Sequence, residues 1–204
     1  MAEAAMRRLV FLPGVGADPA FWRRLGDLLP VAWDKTYLGW PGLGDQQADP
    51  RINSYDDLID LVLAAIGDGP VDLLAQSMGG ALALKIALAH PDKVRRLVLA
   101  VTSGGLDVER LGATDWRPTY RQNHATAPGW VLDTRIDLSP HIPRIAQPTL
   151  LLFGDADPIA PPAVGERLAA LLPDARLHIL PGGDHDLVNH RSAEMAELVL
   201  RHLA

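Results

Sequence analysis

A serine, two aspartates and a histidine occupy positions in this sequence from which they could form one nucleophilic site. Ser77 lies in V-D-L-L-A-Q-S-M-G-G, where a short apolar run ends in the pattern small-x-Ser-x-Gly. Asp155 and Asp157 follow the apolar run P-T-L-L-L-F-G, and His185 follows A-R-L-H-I-L-P-G-G. A serine hydroxyl is a weak nucleophile at neutral pH, and a histidine base oriented by a carboxylate activates it. The chain order serine, acid, histidine is one in which such sites occur.

The residues around Ser77 predict a sharp turn from a strand into a helix. Ala75 and Gly79, two positions to either side, are small, as a strained and crowded backbone requires. The helix-forming stretch Ala81 to His90 follows, so the Met78 amide would lie at the positive end of a helix dipole, facing whatever Ser77 attacks. Alone, the pattern also fits an ordinary Ser-Met-Gly-Gly turn. The downstream aspartates and histidine favour a nucleophile.

Apolar strand-like runs alternate with helical patterns, which predicts a parallel sheet covered by helices on both faces. The predicted strands are Arg8 to Leu12, Trp33 to Leu38, Val71 to Leu74, Arg96 to Val101, Thr149 to Phe153 and Leu177 to Leu180. The predicted helices are Pro19 to Leu29, Tyr55 to Ile66, Ala81 to His90, Ala163 to Leu172 and Val188 to Leu203. We therefore expect an α/β fold with a mostly parallel, twisted sheet of about six strands. The candidate residues follow strand carboxyl ends, the edge where sites form in such sheets.

The segment 102–147 interrupts this alternation. It contains several prolines and glycines and no helical period longer than a turn or two. A long segment of this kind is either functional or a sign that an element has been missed. It carries Trp116, Tyr120, His124 and Trp130. The two tryptophans could form an apolar pocket wall, or they could anchor the segment to the rest of the protein.

Composition points to an ordinary globular protein and excludes several classes of partner. The 204 residues are 48% hydrophobic and 22% charged, which predicts one domain over residues 1–204 with a substantial core. The net charge of −6, without a block of like charges, argues against nucleic acid or an anionic membrane as partner. The absence of cysteine excludes disulfides and thiolate chemistry. The apolar run Leu9 to Leu12 is too short for a signal peptide, so we expect a cytoplasmic protein.

No pattern in the sequence predicts a cofactor or a metal ion. Gly14 and Gly16 resemble the beginning of a dinucleotide fingerprint, but the third glycine is missing because position 19 is proline. The grouping of His185, Asp186 and His190 is better explained by His185 acting as a base than by metal ligation. His190 is the one rival base, and it falls within the last predicted helix.

Five stretches in the correct order make nearly the whole chain resemble the α/β-hydrolase superfamily. They are L-P-G-V-G-A-D after the first strand, G-W-P-G-L-G-D at 39–45, A-Q-S-M-G-G, L-L-F-G-D-A-D-P-I-A-P and P-G-G-D-H-D. The resemblance implies the α/β-hydrolase fold, with 102–147 as a short inserted lid. The family sheet usually has two further strands before the first one here, so the resemblance is to a trimmed version.

The resemblance also implies a role for each candidate residue. Ser77 corresponds to the nucleophile, His185 to the general base and then general acid, and Asp157 to the acid that orients the histidine. Asp157 is preferred over Asp155 because G-D-A-D-P-I, from Gly154, reproduces the family pattern Gly-x-x-Asp-Pro-aliphatic. Asp155 is then expected to form a turn through its short side chain.

The same resemblance identifies an oxyanion hole made of the backbone amides of Val15 and Met78. The family commonly has His-Gly where this chain has Pro13-Gly14. Proline has no amide to donate, but the donor required is the residue after the glycine, so the hole is retained. Trp40, Trp116, Tyr120, His124 and Trp130 are the candidate substrate-pocket residues.

These assignments predict a serine hydrolase that cleaves a small or medium carboxylic ester, or a thioester, through an acyl-enzyme. The segment 102–147 is short for a lipase lid, and no amphipathic segment suggests membrane binding. The expected partner is a small ester-like molecule. The alternatives are a ligand-binding or weakly active protein on the same scaffold, or a lactonase, a carbon–carbon bond hydrolase or an acyltransferase.

Overall fold

The computed structural model describes residues 6–204, so residues 1–5 of the predicted single domain lie outside the described residues. Six parallel strands form one sheet in the order β2-β1-β3-β4-β5-β6. They are β1 (Arg8–Leu12), β2 (Asp34–Tyr37), β3 (Val71–Gln76), β4 (Val94–Ala100), β5 (Thr149–Gly154) and β6 (Ala175–Leu180). The predicted α/β fold with a parallel sheet is confirmed.

Helices cover both faces of this sheet. They are α1 (Arg23–Gly26), α2 (Tyr55–Ile66), α3 (Met78–Ala89), α4 (Arg117–Asn123), α5 (Gly129–Asp133), α6 (Pro162–Leu171), α7 (Leu187–His190) and α8 (Ser192–Leu203). Short 3₁₀ turns occur at Pro91–Lys93, Glu109–Leu111 and Ile142–Arg144. Within residues 6–204, no helix combines the length and the apolar composition that crossing a bilayer would require.

Burial explains why the strand sequences are apolar without alternation. Every residue of β3 and of β5 is buried, because helices cover both faces of the sheet at these central positions. The edge strand β6 alternates between buried or half-buried and exposed positions over much of its length. The helix α3, M-G-G-A-L-A-L-K-I-A-L-A, is apolar on almost all sides and lies in the interior.

The strand order brings the candidate residues to one edge of the sheet. The chain passes from β1 to β2 on one side and then crosses to β3 on the other side of β1. The loops after the neighbouring strands β1 and β3 therefore run in opposite directions and leave a crevice between them. This crevice is the topological switch point, where open α/β sheets form their sites. The loops after β5 and β6 end at the same edge, because all six strands are parallel.

Two predicted helices differ from the observed ones. Only Arg23–Gly26 of the predicted helix Pro19 to Leu29 is helical, because the segment forms successive tight turns such as Phe21 N–H to Asp18 C=O and Leu28 N–H to Leu25 C=O. The predicted helix Val188 to Leu203 is divided into α7 and α8 at Arg191, whose φ of −124° is not helical.

The segment 102–147 contains more regular structure than its sequence indicates. Helices α4 and α5 and two of the 3₁₀ turns lie within it, each too short to show a helical period. Thr114 N–H donates to Pro158 C=O at 2.7 Å, which attaches the segment to the loop after β5. Within the segment itself, Leu138 N–H donates to Gly105 C=O at 2.7 Å. The Tyr55 hydroxyl of α2 also donates to Val131 C=O at 3.3 Å.

Candidate functional site

The backbone at Ser77 has the strained conformation predicted for the turn after β3. Ser77 has φ 51° and ψ −119°, a region that non-glycine residues enter at a cost of about 1–3 kcal/mol. Hydrogen bonds hold it there: its N–H donates to Ala100 C=O at 3.0 Å, and its C=O accepts from Gly80 N–H at 3.0 Å and from the Thr102 hydroxyl at 2.5 Å. The side chain is therefore presented at the end of β3, ahead of α3.

The small residues after Ser77 are required by close approaches of backbone and side chain. A Cβ at position 79 would lie 2.6 Å from Pro13 O, and one at position 80 would lie 2.3 Å from Thr102 Oγ1. Gly79 thus lets the turn after β3 pack directly on the loop after β1. Gly80 leaves room for the Thr102 side chain that bonds the Ser77 carbonyl.

Ser77, His185 and Asp157 form one line of hydrogen bonds. His185 Nε2 lies 3.0 Å from Ser77 Oγ, and His185 Nδ1 lies 2.8 Å from Asp157 Oδ2. Because a carboxylate only accepts, Nδ1 carries a proton and donates a hydrogen bond to Asp157 Oδ2. The lone pair on Nε2 then faces the serine hydroxyl. This is the arrangement in which an imidazole can take a proton from serine.

The Asp157 carboxylate is fully buried and held by the backbone. Its Oδ1 accepts from Ile159 N–H at 2.8 Å and from Ala160 N–H at 3.1 Å, while Oδ2 is left for His185. These bonds fix the carboxylate orientation and offset the cost of burying it. The His185 side chain is 26% exposed, and it lines a cavity in front of Ser77.

Asp155 has a different function in the same turn. Its Oδ1 accepts from Gly182 N–H at 2.6 Å, which ties the turn after β5 to the loop after β6. No hydrogen bond links Asp155 to His185 among the described residues. The side chain bonds a backbone amide, as expected, but that amide belongs to the loop after β6 and not to its own turn.

His190, the rival base, points away from Ser77. Its Nδ1 lies 3.1 Å from Asp184 Oδ1, and its Nε2 lies 3.5 Å from Asp186 Oδ2. It lies at the end of α7, as expected for a residue beyond the loop. Both of its nitrogens therefore face the two aspartates that flank His185, and neither faces the serine.

The turns that carry Asp157 and His185 meet through two glycines. A Cβ on Gly154 would lie 2.0 Å from Gly183 O, and the contacted atom is backbone that cannot rotate away. Ala156 N–H also donates to Gly183 C=O at 2.9 Å. The distance between the carboxylate and the imidazole thus depends on this backbone contact.

We expect Gly154→Ala to reduce both stability and activity. The added methyl group must push the two turns apart, which we expect to lower the free energy of unfolding by about 1–3 kcal/mol. Gly16→Ala is the matched control, since a Cβ there meets nothing within 4 Å and should change stability by no more than about 0.5 kcal/mol. Urea denaturation of both variants measures the difference. Equal midpoints would contradict the importance of this contact.

The loop after β1 is held by two buried indoles. Trp22 Nε1–H donates to Leu12 C=O at 3.0 Å, and Trp40 Nε1–H donates to Pro13 C=O at 2.9 Å. Trp40 is completely buried, so the expectation that it contacts substrate is not met; it supports the loop from behind. The indole bond to Pro13 supplies loop support at a position where proline itself has no N–H to donate.

Two backbone amides in this region remain available for a ligand. Neither Val15 N–H nor Met78 N–H donates a hydrogen bond within residues 6–204, and both residues line the same cavity as Ser77. The Met78 amide begins α3, where the helix dipole adds positive potential. These are the two predicted oxyanion-hole donors.

A cavity of about 390 Å³ opens in front of Ser77 and His185. Its walls come from the loops after β1, β4 and β5, from α2 and α3, and from the segment 102–147. Apolar lining residues include Val15, Met78, Leu106, Trp116 and Ile159. Charged ones are Asp107, Glu109, Arg117, Arg135 and Asp137, so both signs are present. Burial raises the pKa of the Tyr55 hydroxyl in this wall, and Arg117 and Arg135 partly oppose that rise.

Of the predicted pocket residues in the segment 102–147, Trp116 lines this cavity and the other three do not. Trp130 packs edge-on against Tyr55, with ring centroids 5.3 Å apart. His124 lies against the Tyr120 ring at 4.4 Å, and the Tyr120 hydroxyl bonds backbone of the loop after β1. For Tyr120, His124 and Trp130, anchoring of the segment replaces the expected substrate contact.

Gln76 is a site residue that the sequence analysis did not identify. Its Nε2–H donates to His185 C=O at 3.3 Å, which links β3 to the histidine loop. Its Oε1 would lie 2.3 Å from a Cβ on Gly14, so the side chain also fills the space behind the loop after β1. Its place directly before Ser77 was the available signal.

Comparisons with known proteins agree with this geometry. The family model described as alpha/beta hydrolase fold matches residues 7–141 and 108–189. A pimeloyl-(acyl-carrier protein) methyl ester esterase of Neisseria meningitidis is 29% identical, covering 89% of this chain and 72% of that protein. A 2-hydroxy-6-oxononadienedioate/2-hydroxy-6-oxononatrienedioate hydrolase of Klebsiella pneumoniae is 25% identical, covering 96% and 86%.

Among solved structures, a hydrolase from Pseudomonas aeruginosa superposes with a TM-score of 0.80 at 23% identity, covering 100% of this chain and 92% of that one. At that identity the likeness concerns the fold. The family model matches most of this chain, and the solved structure has the same fold. The chain therefore belongs to the alpha/beta hydrolase fold family and is a hydrolase.

Proposed function

We propose that this protein is a serine carboxylesterase that cleaves small or medium esters through a covalent acyl-enzyme. The observation that carries the proposal is the hydrogen-bonded line from Ser77 Oγ through His185 to Asp157, with distances of 3.0 and 2.8 Å. One relative is named as a pimeloyl-(acyl-carrier protein) methyl ester esterase and another as a 2-hydroxy-6-oxononadienedioate/2-hydroxy-6-oxononatrienedioate hydrolase, so ester hydrolysis is the activity to test first.

The reaction proceeds in two balanced halves. Ser77 Oγ attacks the ester carbonyl carbon while its proton passes to His185 Nε2, and the carbonyl oxygen becomes an oxyanion. When the carbon–oxygen bond to the alcohol breaks, Nε2 returns the proton to the leaving oxygen. Water then loses a proton to Nε2 and attacks the acyl carbon. When the bond between that carbon and Ser77 Oγ breaks, Nε2 returns the proton to Oγ, which releases the acid and restores both Ser77 and His185.

The free amides of Val15 and Met78 are the proposed oxyanion donors. Removal of one such donor costs about 10²–10³ in kcat in a well-formed hole. Val15 belongs to the loop whose Pro13 carbonyl is bonded by Trp40, at 2.9 Å. That bond supports an intact loop despite the proline, and it favours an active enzyme over a ligand-binding protein on the same scaffold.

The volume of the cavity and the charges of its lining residues favour a neutral substrate of limited size. Ligand cavities commonly span about 300–1,000 Å³, and the volume here, 390 Å³, lies at the small end of that range. Three acidic and two basic side chains line it, so neither sign of charge dominates. A short acyl chain against the apolar walls fits these properties best.

A series of p-nitrophenyl esters tests this proposal. We expect kcat/KM to be highest for acetate or butyrate and at least about 10-fold lower for palmitate, because the cavity cannot enclose a long chain. The matching anilide should react far more slowly, since an amine is a poorer leaving group. Binding of the esters without release of p-nitrophenol would instead support the ligand-binding alternative.

A further inference from the structure

We propose that Tyr120 is a positioning residue for the oxyanion hole, because its hydroxyl bridges the two loops that determine the orientation of the Val15 amide. The inference rests on the proposed function, because the oxyanion hole has a role only in that reaction. Tyr120 touches no reacting atom in this scheme. It acts through the backbone of Val15.

The bridge consists of two hydrogen bonds from one hydroxyl. Tyr120 Oη–H donates to Val15 C=O at 3.1 Å, and the same oxygen accepts from Gly44 N–H at 3.1 Å. A phenol hydroxyl has one proton to give and can accept at its oxygen, so both bonds form at once. The tyrosine lies in α4 of the segment 102–147, whereas Val15 and Gly44 lie in the loops after β1 and β2.

The Val15 backbone is thereby anchored on both of its peptide groups. Gly14 C=O accepts from Ala17 N–H at 3.0 Å, and peptide planarity then directs Val15 N–H to the opposite side. The next peptide group is anchored at Val15 C=O by Tyr120. Hydrogen bonds on both peptide planes restrict rotation about φ and ψ at Val15, and we infer that they keep its N–H directed towards the cavity that Val15 lines.

The second loop is in direct contact with the first at the same point. Gly44 has φ +51°, and a Cβ there would lie 2.1 Å from Gly16 O. Only glycine permits this approach, and it places the Gly44 amide within reach of the Tyr120 hydroxyl. Gly44 is half-buried, and without that hydroxyl its N–H would lose its acceptor within the protein.

The tyrosine ring is itself held in place. Tyr120 is 8% exposed, and its ring packs edge-on against Trp116 with centroids 5.5 Å apart. The His124 ring lies at 4.4 Å, tilted by 32° to the tyrosine ring. The hydroxyl therefore has little freedom to move away from the two loops. Burial raises the pKa of Tyr120, so the hydroxyl stays protonated and able to donate throughout the neutral range.

Tyr120→Phe is the substitution that tests the inference, since it removes the hydroxyl and keeps the ring. We expect kcat for p-nitrophenyl butyrate to fall about 10-fold, less than the loss of a complete oxyanion donor, with KM within about twofold of the parent. Hydrogen exchange of the Gly44 amide should accelerate. Phosphonylation by a fluorophosphonate should slow by a similar factor, because it also develops negative charge in the hole.

Two further variants separate positioning from other effects of the substitution. Tyr37→Phe removes a hydroxyl that lies beside Gly26 of α1, from a ring that stacks on Phe11 at 4.6 Å and does not line the cavity, and it should leave kcat and KM unchanged. Trp130→Leu loosens the segment 102–147 without touching the loop after β1. It should raise KM with little change in kcat, since the packing it removes is against Tyr55 of the cavity wall.

Several outcomes would overturn the inference. An unchanged kcat in Tyr120→Phe, with faster Gly44 exchange, would mean that the bridge exists and does not position the hole. A rise in KM alone, as in Trp130→Leu, would assign Tyr120 to the cavity wall. A parent enzyme that turns over no ester would reject the proposed function, and the inference with it; the Gly44 exchange rate would then still report whether the bridge forms.

Discussion

Ser77→Ala is expected to reduce kcat for p-nitrophenyl butyrate by at least about 10⁴-fold, because it removes the protein group that attacks the ester carbonyl and carries the acyl intermediate in the proposed mechanism. The fold should survive the change. Alanine has the same Cβ as serine, so it bears the same strain at φ 51° and the same backbone hydrogen bonds. Residual activity above about 1% of the parent would contradict the assignment of the nucleophile.

Ser77→Gly separates strain from chemistry at the same position. It should be as inactive as Ser77→Ala. Its free energy of unfolding should exceed that of the alanine variant by about 1 kcal/mol, since glycine adopts positive φ without steric cost. Urea denaturation of the two inactive proteins measures this difference. An alanine variant at least as stable as the glycine variant would argue against a strained turn.

Asp157→Asn is expected to lower kcat by about 10³–10⁴-fold while leaving the protein folded. The asparagine oxygen can still accept from Ile159 and Ala160 N–H, as Oδ1 does now. Its amide group then faces His185 Nδ1, which must present a lone pair instead of a proton. The proton moves to Nε2, and the histidine can no longer take one from Ser77.

Asp155→Asn provides the matched control, two residues away in the same turn. Its side-chain oxygen can continue to accept from Gly182 N–H, the bond that Oδ1 of Asp155 makes at 2.6 Å. We expect kcat to change by less than about threefold, since the tautomer of His185 is unaffected. Similar effects of the two substitutions, measured with one ester under identical conditions, would contradict Asp157 as the orienting acid.

The residues with local signals were predictable from the sequence. Ser77 lies in a short pattern that indicates its own turn. Asp157 follows the apolar run of the buried strand β5, and His185 follows the run of the edge strand β6. Parallel strands bring their carboxyl ends to one edge, so the chain order alone brought these side chains together.

The supporting contacts could not be predicted, because they join residues that are far apart in the sequence. Trp40 bonds Pro13 and Tyr120 bonds Val15, and in neither case does the local pattern indicate a partner. From the sequence, an aromatic residue near a site can be assigned to a pocket wall or to an anchor, and no local pattern distinguishes the two. In the structure, the indole N–H of Trp40 and the hydroxyl of Tyr120 donate to backbone carbonyls. Buried tryptophan and tyrosine side chains usually find such a hydrogen-bond acceptor for their polar group.

The short helices were missed for a similar physical reason. Helix α4 has seven residues and α5 has five, fewer than the span over which an apolar period can be recognised. Their position is determined by packing, such as the edge-on contact between Trp130 and Tyr55. At Arg191 the predicted last helix breaks, although no proline or glycine marks the position.

Covalent labelling with a fluorophosphonate tests the central claim most directly. We expect intact-mass analysis to find one phosphonyl group per chain and peptide mapping to locate it on Ser77, with no adduct in Ser77→Ala and a slower rate in Asp157→Asn. The reagent reports the activated hydroxyl without knowledge of the natural ester. Failure of the native protein to react, or an adduct on a residue other than Ser77, would contradict the account.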